Sequence, residues 1–398
     1  HGKGYYEYQN GDVYDGNWKN GFYHGYGKLT YSSGTVLEGD WVEHKLHGQG
    51  KAIFFEGGSY EGEWHQGLRH GQGIYTYPDK SVYIGEWNYD FEHGQGKYIF
   101  ASKDVYEGQM AQGKYHGKGK LTFFSGDIYE GEFINGKYHG KGKFSSAQYT
   151  YDGEFHEGLK HGEGTYSMKG GDIYKGQWKN DVRHGYGLSH YSNEDVYTGN
   201  WQNDMKHGYG VYQYANGDVY KGIWMDGKFH GQGLFISHTG SHYSGNWKEG
   251  WRHGYGLGVE VDGTRYEGYW RANVRDGHGV AVEADGTRYE GNWKYGLLDS
   301  ALSMRCQATY RNGSYYDGAW AQGQKQGHGF MRYSALKGHV DWKSIMPDIF
   351  QGIGASPVNS GKVAEAVKEL KTKDGVVNFA MLDTYDGEWS EDVREGHG

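Results

Sequence analysis

Apolar and polar positions along this chain follow a two-residue alternation that is itself repeated at a much longer period. In Tyr14-Asp15-Gly16-Asn17-Trp18 the tyrosine, glycine and tryptophan share one parity, and Asp15 and Asn17 share the other. That alternation predicts a strand with one covered and one wet face. Asn20-Gly21 is a turn signal, because glycine takes a positive φ without steric penalty. The returning segment places Gly25, Gly27, Leu29 and Tyr31 on one face and His24, Tyr26, Lys28 and Thr30 on the other, and a second turn ends near Gly34. Each unit therefore reads as a β-hairpin. The same order returns with its first position at 37, 60, 83, 106, 129, 151, 174, 197, 220, 243, 266, 289, 316 and 385. The step is 23 residues almost throughout, shortened to 22 once (129 to 151) and stretched to 27 before Tyr316. A period this strict means a repeat array.

Glycine inside a strand costs stability, so its return at fixed places needs a packing reason. The expected reason is that rings such as Tyr14 and Trp18, Tyr60 and Trp64, or Tyr220 and Trp224 lie flat over glycines of an adjacent strand, as at Gly16, Gly25 and Gly27. A single hairpin cannot bury enough to stand alone, so the units must stack. The expected fold is all-β, an elongated, twisted, single-layer antiparallel ribbon. With two strands per unit at ~4.8 Å each, it would run on the order of 140 Å. Unpaired edges would offer a template for end-to-end or homodimeric association.

The pattern Tyr-x-Gly-x-Trp, then Gly, then His-Gly-x-Gly resembles the MORN repeat, over about Tyr14 to Tyr333 and again from Tyr385. Similar proteins with long arrays and no attached enzyme are found in cytoskeletal assemblies, including radial-spoke heads of motile cilia. The resemblance thus implies a non-catalytic scaffold for protein–protein assembly, cytoplasmic and cytoskeletal, in the axoneme of a cilium, with other proteins of a large assembly as partners. Similar repeats accompany junctophilins, plant phosphoinositide kinases and lysine methyltransferases. That leaves two alternatives, a peripheral phospholipid-associating module and a targeting domain of a larger enzyme.

Residues 1–13 read as the second half of a repeat, 14–333 as the array, 334–384 as an insertion and 385–398 as a final partial copy. The chain starts and stops mid-unit, so a segment of a longer protein is expected. Met110, Phe133 and Phe155 replace the fifth-position tryptophan, and Leu37 an opening tyrosine, as packing variants. Later copies drift: Asp276, Asp299, Gln326 and Glu395 stand where histidine stood, and Asp299-Ser300-Ala301-Leu302 has lost both glycines. Weakened stacking, with a bend or a partner contact, is expected there. In the insertion, Trp342, Ile345, Met346, Ile349 and Phe350 fall at helical spacing before and after Pro347, and Val363, Val367 and Leu370 mark one face of a second helix. This helical pair either covers the sheet or docks a partner.

Composition narrows the function classes. With 41 Lys+Arg against 50 Asp+Glu, the net charge is −9, giving no basic stripe for nucleic acid and little pull toward anionic lipid. One cysteine, Cys306, excludes an intrachain disulfide framework and fits a reducing compartment. No apolar run reaches membrane-spanning length. Eleven copies carry the histidine of His24, but a ladder of roughly 10 Å is too wide for two imidazoles to share a metal. A structural hydrogen bond to backbone is expected instead. Gly361-Lys362 lacks the rest of a phosphate loop, and no nucleophile or paired-carboxylate motif stands out. No catalytic, cofactor or metal site is expected. The aromatic face is either the array's core or, in part, a groove for an extended peptide or helix.

Overall fold

A computed structural model describes residues 1–300, 305–334 and 384–395. All regular structure among them is β-strand. The expected helical pair, with Trp342, Ile345, Met346, Ile349, Phe350, Val363, Val367 and Leu370, lies outside the described residues. The chain forms two units, His1–Asp204 and Met205–Gly398. In each, strands pair antiparallel with their sequence neighbours in one layer, as the sequence predicts.

The hairpin Val13–Lys19 and Phe22–Thr30 shows how the repeat works. Asn20 (φ 54°) and Gly21 (φ 81°) make the tight turn with both central residues left-handed, the geometry that suits strand twist. Gly16 pairs with Gly27, but Trp18 pairs with Tyr23, so the returning strand bulges through His24, Gly25 and Tyr26. Gly25 sits at φ 70° to make that bulge, a conformation that disfavours any side chain. Facing the next strand the same segment is regular, with Gly25 opposite Trp41 and Gly27 opposite Gly39.

The glycine pair is the seat expected for the ring. An ideal Cβ on Gly16 would fall 2.6 Å from Tyr14 Oη, and one on Gly27 2.6 Å from Tyr14 Cζ. Lying along its own strand, Tyr14 reaches past Gly16 and donates to the carbonyl of Asn17 at 3.0 Å. Tyr60, Tyr106, Tyr129, Tyr174 and Tyr243 repeat this bond at 2.7–2.9 Å. Tryptophan Nε1 donates one repeat back, as Trp41 does to Gly27 at 2.9 Å and Trp270 to Gly256 at 3.0 Å. The tryptophans stand edge-on to the tyrosines, with Trp64 and Trp87 at 5.1 and 5.3 Å from Tyr60. These rings are the core: Tyr14, Tyr60 and Tyr220 are fully buried, and burial lifts the Tyr14 phenol to about 12. Met110, Phe133 and Phe155 are equally buried, as packing variants should be.

The drifting copy behaves as the lost glycines predict. Its returning strand is split into Leu297–Leu298 and Cys306–Thr309. Cys306 takes the place of the second glycine, so its Sγ and Cβ fill the space above Gly291. Tyr289 has no seat there and is only half-buried, while Cys306 is fully buried.

Candidate interaction surfaces

With the rings committed to the core, contact with other molecules falls to the opposite face. The two units differ there, a contrast the sequence reading passed over. In the first unit a cross-strand row runs Lys28, Glu38, Lys51, Glu61. After the exposed Ile74 and Ile84 it resumes as Lys97, Glu107, Lys120, Glu130, Lys143, Asp152 and ends in Thr165, Lys175, Leu188 and Thr198. Lys51 and Glu61 approach to 3.6 Å and Lys97 and Glu107 to 2.8 Å, each about half exposed or more. Such pairs contribute at most about 1 kcal/mol each. They keep the charged stretches of the row balanced and wet. Beside it a broad groove is floored by Gly85, Gly96, Gly108 and Gly119.

In the second unit the equivalent row reads Val211, Lys221, Leu234, Ser244, Leu257, Glu267, Val280. All four apolar members are partly exposed. Tyr209, Tyr255 and Tyr269 flank them at 48%, 49% and 51% exposure. Tyr255 donates to Glu267 at 3.0 Å and meets Tyr269 edge-on at 5.6 Å. An aliphatic and phenolic strip on a sheet face, spaced by short or charged side chains, has the composition of a contact surface.

Two further positions carry roles that the sequence reading left as x. The residue before the tryptophan caps the bulge: Glu63, Glu86, Gln109 and Gln177 each accept the amide of Gln72, Gln95, Lys118 or Tyr186 at 2.9–3.0 Å. Its recurrence as Asn, Asp, Glu or Gln was the available signal. The second residue after the turn is aromatic in some copies, where Tyr23 stacks on Tyr14 at 3.7 Å. In others it is a cation lying on the next tryptophan, Arg69 at 4.3 Å from Trp87 and Arg183 at 4.2 Å from Trp201. Asp90 and Asp204 fix these guanidinium groups at 2.9 and 3.0 Å. In one copy it is Glu92, among aromatic rings and accepting from Tyr77; burial raises its carboxyl, with Tyr77 and Arg69 opposing.

The histidine expectation needs correction. Nδ1 of His70, His139, His161 and His184 is buried without a hydrogen-bond partner among the described residues. The residue sits on the bulge just before the left-handed glycine, and its ring packs against the following turn, His70 at 5.1 Å from Tyr89 and His139 at 5.2 Å from His156. In these copies packing, not a backbone hydrogen bond from Nδ1, holds the ring. The described residues contain no group of three or more His, Cys, Asp or Glu able to hold a metal ion. Nor is any helix among them long and apolar enough to cross a membrane.

A family model described as MORN repeat matches sixteen segments, from 1–13, 14–36 and 38–59 through 316–335 and 385–398, well over half of the chain. Comparison with curated proteins gives no match. Among solved structures, the SAS-4 (dCPAP) TCP domain of Drosophila melanogaster, in complex with a proline-rich motif of Ana2 (dSTIL), is similar at 13% identity and TM-score 0.23. It covers 44% of this chain and 90% of that one. The wild-type TCP10 domain of Danio rerio CPAP is similar at 12% identity and TM-score 0.21, over 55% and 93%. Virginiamycin B lyase from Staphylococcus aureus follows at 11% and 0.12, over 78% and 92%. Likenesses this weak bear on neither fold nor function.

Proposed function

The chain belongs to the MORN-repeat family, and from that premise we propose that it is a non-catalytic scaffold assembling other proteins in a cytoskeletal structure of the axonemal kind. A repeat scaffold for protein or membrane interactions is the family's general character. One observation carries the choice of protein over membrane. The second unit presents the partly exposed row Val211, Leu234, Leu257, Val280 on the face where the first unit, apart from Ile74, Ile84 and Leu188, presents mainly charged and polar residues. Between those apolar residues stand Lys221, Ser244 and Glu267, one of each charge sign and one neutral. A protein surface can match that pattern residue by residue. Anionic lipid needs a cluster of cations, and a net charge of −9 works against it.

The test is localisation in a ciliated cell. Tagged chain and the Leu234→Lys, Leu257→Lys variant are compared by microscopy after detergent removal of membranes. Retention of the wild type along axonemes, lost in the variant, supports the reading. Extraction of both with the membrane fraction refutes it.

A further inference from the structure

We propose that the second unit pairs face to face with a second copy of this chain, across a two-fold axis running along the strand His242–Lys248. This deepens the scaffold reading and rests on it, by naming the protein that meets the apolar row.

The row is symmetric about Ser244. Leu234 and Leu257 stand one strand to either side of it, Lys221 and Glu267 two strands away, and Val211 and Val280 three strands away. A two-fold axis along the central strand lays each position over its symmetric counterpart in the other copy. Leucine then meets leucine, valine meets valine, and Lys221 meets Glu267 of the second copy, twice over. An isologous contact needs this self-complementarity. The neighbouring row obeys the same rule, with Ile236 and Val259 on either side of His242. On the other flank Tyr255 and Tyr269 fall over Gln232 and Ile223 of the second copy, an amide and an aliphatic chain that phenol rings can cover.

Charge selects this axis. A two-fold running along the row would instead set Lys221 on Lys221 and Glu267 on Glu267, which like charges oppose. Within one chain the two cannot pair, because four strand steps hold them roughly 19 Å apart. Lys221 is exposed and has no carboxylate within ion-pair distance among the described residues, whereas Lys51 and Lys97 in the first unit each have one on the next strand. Glu267 is exposed too, and Tyr255 bonds one of its oxygens at 3.0 Å, leaving the other for a lysine. With histidine neutral, these rows carry only Lys221, Arg265 and Glu267 as charges over the strands from Met205–Gln213 to Val274–Val282. The net charge of −9 therefore lies elsewhere, where salt screens it beyond about 8 Å, and does not hold the two faces apart.

Size sets the strength. Two twisted sheets pack aligned at about 10 Å, close enough for such side chains to interdigitate. Strands at ~4.8 Å and rows at ~7 Å make this patch roughly 30 by 14 Å, on the order of 400 Å² of sheet per copy before side-chain relief is added. A standard specific pair buries about 800 Å² per partner, which puts this face among the weak, reversible pairs.

The test is sedimentation velocity of the full chain over a micromolar concentration series at physiological salt. Wild type should pass from monomer to dimer. Lys221→Glu and Glu267→Lys each set like charges face to face and should weaken dimerisation at least about tenfold. Combining the two substitutions in one chain should restore it, and so should mixing the two single variants, whose faces complement each other. Ser244→Lys places two cations together on the axis and should act as the single variants do. All three positions are exposed, so the variants keep the fold. Monomer at every concentration, species that grow past dimer, single variants that pair like wild type, or a double variant no better than the singles overturns the proposal. Axonemal retention separates this outcome from the scaffold reading. A wild type that stays monomeric but is retained, with retention lost in the Leu234→Lys, Leu257→Lys variant, leaves the scaffold standing with a different protein on the row. A wild type that dimerises as described but is not retained removes the scaffold reading and leaves the pairing.

Discussion

Gly119→Ala isolates the contact on which the array depends. An ideal Cβ at Gly119 would lie 2.5 Å from Tyr106 Oη, 2.6 Å from Cε2 and 2.7 Å from Cζ. That is about 1 Å inside ordinary carbon contact. The ring cannot slide away, because Tyr115 stacks on it at 3.9 Å and Phe133 meets it edge-on at 5.3 Å. It must leave its seat and give up the bond from its hydroxyl to Gln109 O at 2.7 Å. The lost hydrogen bond costs about 1 kcal/mol net. Exposing a buried aromatic ring costs roughly 1.5–3 kcal/mol more. Alanine's lower backbone entropy returns about 0.5–1 kcal/mol. The net is a local loss of about 2–3 kcal/mol, or roughly 30- to 150-fold in an opening equilibrium. Because repeat arrays open segment by segment, the assay is amide hydrogen exchange over the strands Val105–Ala111 and Lys114–Thr122. Gly170→Ala is the control, since its Cβ would meet nothing within 4 Å. Equal protection in the two variants would refute the seat as a source of stability.

Three further outcomes follow from the same geometry. Glu92 has its carboxyl raised by burial, so its ionisation opposes folding; stability should fall as pH rises from the ordinary carboxylate range through the raised value, and Glu92→Gln should remove that slope in denaturant melts. Glu63→Ala removes the cap on Gln72 N (3.0 Å) and should cost about 0.5–1.5 kcal/mol, read as faster exchange of that amide alone. Cys306 is buried and its thiol is pushed up by desolvation, so native protein should react with a thiol reagent at neutral pH at least about a hundredfold more slowly than unfolded protein; equal rates would contradict the burial of Cys306 in the second glycine's place.

Much of the fold was legible because it is local. Tyr14, Gly16 and Gly27 recur at spacings that only a hairpin with a ring on a glycine pair explains, and the loss of glycines after Asp299 correctly marked where the strand breaks. What was missed depends on neighbours one repeat away. The capping role of Glu63 needs the bulge, whose existence is set by the mismatch between Trp64 opposite Arg69 and Gly62 opposite Gly73. Arg69 on Trp87 is a contact 18 positions apart along the chain, invisible to alternation. The apolar row from Val211 to Val280 was hidden for the opposite reason: each member looked like one more tolerated residue on a wet face. His70 was misjudged because hydrogen-bond satisfaction was assumed where packing against Tyr89 suffices.

The scaffold claim is tested most directly by letting the purified chain partition between demembranated axonemes and an excess of phosphatidylserine-containing vesicles at physiological salt. The account predicts sedimentation with the axonemes, reduced by Leu234→Lys together with Leu257→Lys. Flotation with the vesicles, unaffected by those substitutions, would contradict it and make the chain a membrane module.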